Sequence, residues 1–188
     1  MDDINEMKRM WLDLNQRFSA LEEENRSLAQ KIVNGKLKTV QEKLIKKYTL
    51  FIMLGILMIV YIFLFFLNNP MMIEKYKWIT LSYWTAFFLF EISIDLYLRK
   101  QLKDIDIYNS SVKEISVRAT KNWKIHKLAV AIGLPLAFGA IILLGFSMNA
   151  NKYLFLGMIV GVIIGLSIGL LQLKKFYKNY RRLQGIEE

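Results

Sequence analysis

Four stretches of about twenty residues are too apolar to be left in water, and they decide what this chain can become. Residues 48–67 hold no charged side chain. At ~1.5 Å per helical residue they reach across the ~30 Å hydrocarbon core of a bilayer. Residues 78–98 form a second run, interrupted by Glu91 and Asp95, and residues 128–147 form a third that contains Pro135. Residues 153–173 form a fourth, again uncharged. Helices buried in a soluble core are usually shorter and amphipathic. The hydrophobic share is 54% alongside 26 Lys+Arg, so apolar and charged residues have to be segregated along the chain. The expected fold class is all-α: a four-helix transmembrane bundle with an N-terminal cytoplasmic heptad-repeat helix and helical cytoplasmic extensions.

Lys and Arg give the direction of the crossings. Residues 1–47 carry ten, residues 99–127 eight and residues 174–188 five, whereas 68–77 carry two and 148–152 one. Twenty-three against three predicts both termini and the 99–127 segment in the cytoplasm, in a multi-pass protein of the inner membrane. No short apolar stretch follows a basic start within the first thirty residues, so the first run reads as a retained span rather than a signal peptide. The net charge of +10 is then mainly a topology signal, with attraction to a bilayer whose inner leaflet is anionic. Nucleic acid is not expected as a partner, because residues 1–33 carry seven acidic and five basic side chains. The two outer loops are too short to fold into a sensor or catalytic domain.

The N-terminal segment carries heptads. With Ile4 at an a position, the seam runs Ile4, Met7, Trp11, Leu14, Phe18, Leu21, Asn25, Leu28 and Ile32. Three readings fit it: a parallel homodimeric coiled coil through residues 4–32, a helix docked in the groove of a cytoplasmic partner, or an amphipathic helix lying on a surface. In a parallel dimer Asp3 would meet Lys8 and Arg17 would meet Glu22, and Asn25 would fix the register. Trp11 and Phe18 crowd a two-stranded seam. Asp3 with Glu6 reads as a capping box. Asn34-Gly35 reads as a left-handed cap that ends the helix, and Thr39 with Glu42 as the start of a new one. The expected organisation is therefore a helix over 1–38, joined by a mobile elbow to a membrane domain over 39–188.

Residues 99–127 predict a helical hairpin. Leu98, Leu102 and Ile105 prolong the second helix, Asn109-Ser110-Ser111 turns the chain, and Ser111 with Glu114 supplies a further capping box. Val112, Ile115, Ala119 and Trp123 then lead into the third span. The tail, with Phe176, Tyr177 and Tyr180 among its basic residues, reads as an interfacial anchor.

Two constellations inside the spans carry chemistry. Gly157, Gly161, Gly165 and Gly169 place a side-chain-free stripe on the fourth span, and Ala129, Gly133 and Ala137 a similar one on the third. The simplest expectation is that these stripes seat the two helices on each other; oligomerisation and a pore lining are the alternatives. Glu91 and Asp95 lie one turn apart, with Arg99 on the same face. A carboxylate at mid-span costs ~2.5–3.5 kcal/mol on insertion scales, so each needs an inward partner. Arg99 is expected to pair with Asp95. For Glu91 the candidates are Tyr or Ser side chains, a protonated carboxyl, or His126 or Lys127 from the third helix. Glu91, Asp95, Arg99 and His126 thus form either a polar clamp or an intramembrane proton or cation site.

No catalytic, cofactor-binding or metal-binding residue is expected. With one His and no Cys there is no soft-ligand cluster, and there is no Gly-x-Ser-x-Gly turn, zinc motif, P-loop or nucleotide fingerprint. The leading expectation is a non-enzymatic adaptor or regulator that presents its heptad helix for self-association or partner recruitment. The alternative is a small oligomeric transporter or channel using Glu91. In layout, a cytoplasmic helix such as Met7-Lys8-Arg9-Met10-Trp11-Leu12-Asp13-Leu14-Asn15 followed by four spans, the chain resembles small bacterial inner-membrane proteins. That resemblance implies location and topology alone.

Overall fold

A computed structural model describes residues 2–69, 72–148 and 152–185, with side chains for all of these except 2–6, 8, 9 and 152–155. Most of the described residues are helical, with no strand among them. The helices are α1 (Asp2–Asn68), α2 (Glu74–Lys103), α3 (Val112–Ser147) and α4 (Lys152–Leu183). All four are long and apolar enough to cross a membrane, and the chain reads as a multi-pass membrane protein. Helix is what such sequences must form, because hydrocarbon leaves every peptide group to find its partner within the protein.

The chain divides into two compact units, Met1–Thr39 and Val40–Glu188. In the first, the helix passes through Asn34-Gly35 without a break, in place of the expected left-handed cap. Gly185 is the one described glycine at positive φ, so Gly35 is ordinary helical backbone. The Thr39 hydroxyl donates to the Gly35 carbonyl at 3.0 Å, bonding back onto the preceding turn instead of capping a new helix. Energetics explain the outcome. A glycine inside a helix costs about 1 kcal/mol, whereas ending the helix would leave four N–H and four C=O groups unmatched at the break. The Asp3–Glu6 capping box lies outside the described side chains.

In the second unit the elements are fastened at both ends. Gln41 of α1 is buried, and its side-chain amide donates to the carbonyls of Leu102 at 2.6 Å and Ile105 at 2.8 Å. Those carbonyls lie at and just past the end of α2, where helical partners run out. α2 stops at Lys103, sooner than the Leu98, Leu102 and Ile105 pattern implies, although all three side chains are buried. Asp106 organises the turn that follows: its carboxylate accepts from the Tyr108 N–H, the Asn109 N–H and the Asn109 side-chain amide. α3 opens on the expected cap, with Ser111 Oγ accepting the Glu114 N–H at 3.2 Å. Glu114 does not reach back to complete the box; its carboxylate pairs with Arg118 at 2.8 Å.

At the other end Ile62, Phe66, Met72 and Leu81 form a buried cluster, and the Ile73 N–H donates to the Ser147 carbonyl at 2.8 Å. α3 continues through Pro135 and packs more extensively on α2 than on α4.

A methyl group at Gly35 meets no atom within 4 Å. Gly35→Ala is therefore expected to slow amide hydrogen exchange over residues 34–38, in line with a helix stabilised by about 1 kcal/mol. Gln41→Leu, which removes both bonds to the end of α2, is expected to lower unfolding stability in detergent by about 1–3 kcal/mol.

Candidate functional site

A buried polar group in the second unit joins three helices. Tyr48 (α1) and Tyr180 (α4) are 0% exposed, and their hydroxyls lie 3.0 Å apart. The Tyr48 hydroxyl is also 3.2 Å from Nδ1 of the buried His126 (α3). Local sequence explains the placement. Tyr48 and His126 stand at the head of apolar runs and Tyr180 just beyond one, where an aromatic body with a polar tip suits the change of medium. Rings close the space around them. The His126 ring centre lies 4.8 Å from that of Phe176 and 5.6 Å from that of Trp123, and Trp123 lies 5.4 Å from Tyr180. A hydroxyl can donate once and accept twice, so Tyr48 can satisfy both partners together.

The carboxylates of α2 extend this polar seam deeper into the bundle. Asp95 is near enough for its charge to act on both tyrosine hydroxyls. One turn further in, the Glu91 carboxylate rests against the backbone of Gly133, occupying the space a side chain there would need. Glu91 has no hydrogen-bond or ion-pair partner among the described residues. Chemically, Tyr48, Tyr180 and His126 form a hydrogen-bonded set that can exchange protons, and Glu91 and Asp95 can each hold one. It presents no nucleophile activated by an oriented base.

Several expectations need correction. Asp95 and Arg99 take part in none of the described ion pairs, which are Arg17–Asp13, Lys77–Glu74 and Arg118–Glu114. Arg99 Nε is buried without a partner. Helical spacing of four puts the two side chains on one face without requiring them to meet. His126 engages Tyr48 rather than Asp95 or Glu91. The small-residue face of α3 does not meet the glycines of α4: Gly133 receives Glu91 of α2, and the neighbouring Gly139 faces the hydroxyl of Tyr83, also on α2. Ala129 is buried and Ala137 half-buried. A methyl group at Gly157, Gly161, Gly165 or Gly169 would meet nothing within 4 Å. Gly161 and Gly165 instead line an open apolar cleft of about 400 Å³ with Trp84, Ala137, Phe138 and Met158. The reason lies in shape: a glycine takes up whatever bulky neighbour arrives first, and α2 brings Glu91 and Tyr83.

In the first unit the seam residues Met7, Trp11, Leu14, Phe18, Leu21, Asn25, Leu28 and Ile32 are all exposed, Trp11 to 71% and Phe18 to 65%. The Ile4 side chain lies outside those described. Sequence reasoning missed Gln41 and the Tyr48–Tyr180 pair. Their one available signal was a polar tip at the edge of an apolar run. The chain matches no protein-family model, no curated protein and no solved structure.

Gly133→Ala is expected to lower thermal stability in detergent by displacing Glu91, and Glu91→Ala in the same chain to recover most of the loss. A Gly133→Ala effect that Glu91→Ala does not relieve would contradict this seating. Tyr48→Phe, which leaves His126 and Tyr180 without their shared hydroxyl, is expected to cost about 1–3 kcal/mol in the same measurement.

Proposed function

We propose that the protein is a non-enzymatic membrane adaptor that pairs with a second copy of itself through residues 4–32. Its four crossings leave both termini and the turn between α2 and α3 in the cytoplasm, at an inner membrane whose anionic face attracts the basic segments. The observation that carries the reading is the exposed seam. Met7, Trp11, Leu14, Phe18, Leu21, Leu28 and Ile32 turn apolar surface to water along one face of a helix. Such a helix gains little from propensity alone and depends on burying that face. Charge favours a second copy as the occupant. In parallel register Asp3 meets Lys8 and Arg17 meets Glu22, and the exposed Arg17–Asp13 pair at 3.0 Å is weak enough to exchange. Asn25 at an a position restricts register and oligomer order. A dimer of this kind holds two membrane bundles together and offers its outer helical face to a cytoplasmic regulator.

A second reading rests on Glu91. A carboxylate within a span, lodged on Gly133 and with no cation beside it among the described residues, is a candidate proton or cation site in a small oligomeric transporter. Flux into liposomes that is abolished by Glu91→Ala would favour it, and flux that survives would remove it.

Under the adaptor reading, Leu14→Asp with Leu21→Asp in the full-length chain converts a detergent-solubilised dimer to a monomer by size-exclusion light scattering. A wild-type chain that is already monomeric, or a dimer that survives both substitutions, rejects self-pairing through these residues.

A further inference from the structure

We infer that Lys47 and Lys175 together hold the phosphate of an anionic lipid headgroup. Lys47 immediately precedes the apolar run 48–67, and Lys175 lies just past the run 153–173. Ring contacts set the two at one level of the bundle. Phe176, next to Lys175, has its ring centre 5.2 Å from that of Tyr48 and 5.8 Å from that of Phe51. Two cations from different helices therefore stand at the same boundary between apolar and polar segments, and Lys175 is near enough for its charge to repel that of Lys47.

Neither lysine belongs to a described ion pair. The Lys47 ammonium is withdrawn from water, has no hydrogen-bond acceptor, and lies 4.7 Å from the centre of the Phe176 ring. A ring face offers a cation some attraction but leaves its N–H donors unmatched. Like charges brought together beside a low-dielectric slab require a shared counter-charge. Phosphate supplies one, along with strong acceptor oxygens, and lysine serves it as a point charge. The stem of Lys47 is a flexible four-carbon chain, so a phosphate at the boundary can draw its ammonium off the Phe176 ring.

Surroundings favour a lipid over free phosphate. Leu50 and Leu54 share the helical face of Lys47, Leu171 lies one turn before Lys175, and all three leucines are exposed. Acyl chains can lie on that surface while the headgroup stays between the ammonium groups. The inference stands on the placement of these helices and does not require self-pairing through residues 4–32.

The test is native mass spectrometry of the full-length protein in detergent, with phosphatidylglycerol and phosphatidylcholine supplied in equal amounts. Wild type is expected to retain phosphatidylglycerol preferentially. K175M, at an exposed position, should reduce that preference about fivefold, and K47M/K175M by about the square of that factor. K47R/K175R should retain it, as should K36M/K38M, which changes lysines elsewhere. An undiminished preference in K175M and in K47M/K175M would overturn the proposal. So would equal loss in K36M/K38M, which would mark a diffuse charge effect. Displacement of phosphatidylglycerol by inorganic phosphate would assign the site to the free ion and overturn the lipid assignment.

Discussion

Hydrocarbon offers no partner to a peptide group, and that constraint shapes the chain more than any single contact. It explains why twenty-residue apolar runs become helices whatever their β-branched content. It also explains why α3 runs through Pro135, since ending a helix inside a bilayer would expose more backbone than one missing N–H. Several polar side chains in or beside the spans meet the same demand. Gln41 completes the end of α2, Tyr83 donates to the Leu136 carbonyl at 3.1 Å, and Tyr48 bridges His126 and Tyr180. Each bond is stronger there than it would be in water, and each is costlier to leave unmade.

The placement of the polar seam follows from where the backbone permits close approach. Gly133 removes a side chain at the level where Glu91 must enter the bundle, and Gly139 does the same for Tyr83. Glycines usually read as helix-packing residues; here two of them receive bulky polar groups from α2. The glycines of α4 remain open, and the cleft they border is apolar. The glycines of α3 and those of α4 therefore serve different ends. In the proposed adaptor the seam has a structural role: it ties α1, α3 and α4 together, with Glu91 of α2 seated on α3.

Local signals were legible in the sequence and tertiary ones were not. The four crossings could be read directly, because length and hydropathy are one-dimensional properties. So could the Ser111 cap, a contact between residues three apart. Asn34-Gly35 misled because its turn signal competes with helix formers on both sides, and the penalty for one glycine is smaller than the cost of a break. The Asp95–Arg99 pairing rested on helical spacing, which places two side chains on one face but does not say which way a long cation extends. The stripe pairing failed because small residues advertise close approach without naming the partner. The Tyr48–Tyr180 contact joins residues 132 apart, and no periodicity in one sequence connects them. Gln41 is 61 residues from Leu102 and equally silent.

The proposed function requires that the apolar runs partition into lipid with the basic segments together on one side. Because the chain has no cysteine, single substitutions report accessibility without background. The most direct measurement is labelling of Ser110→Cys and Glu74→Cys in intact cells with a membrane-impermeant maleimide. Labelling at residue 74 from outside, with residue 110 reached only after the membrane is opened, is the predicted result. Labelling of both from the same side would contradict the four crossings and the functional reading built on them.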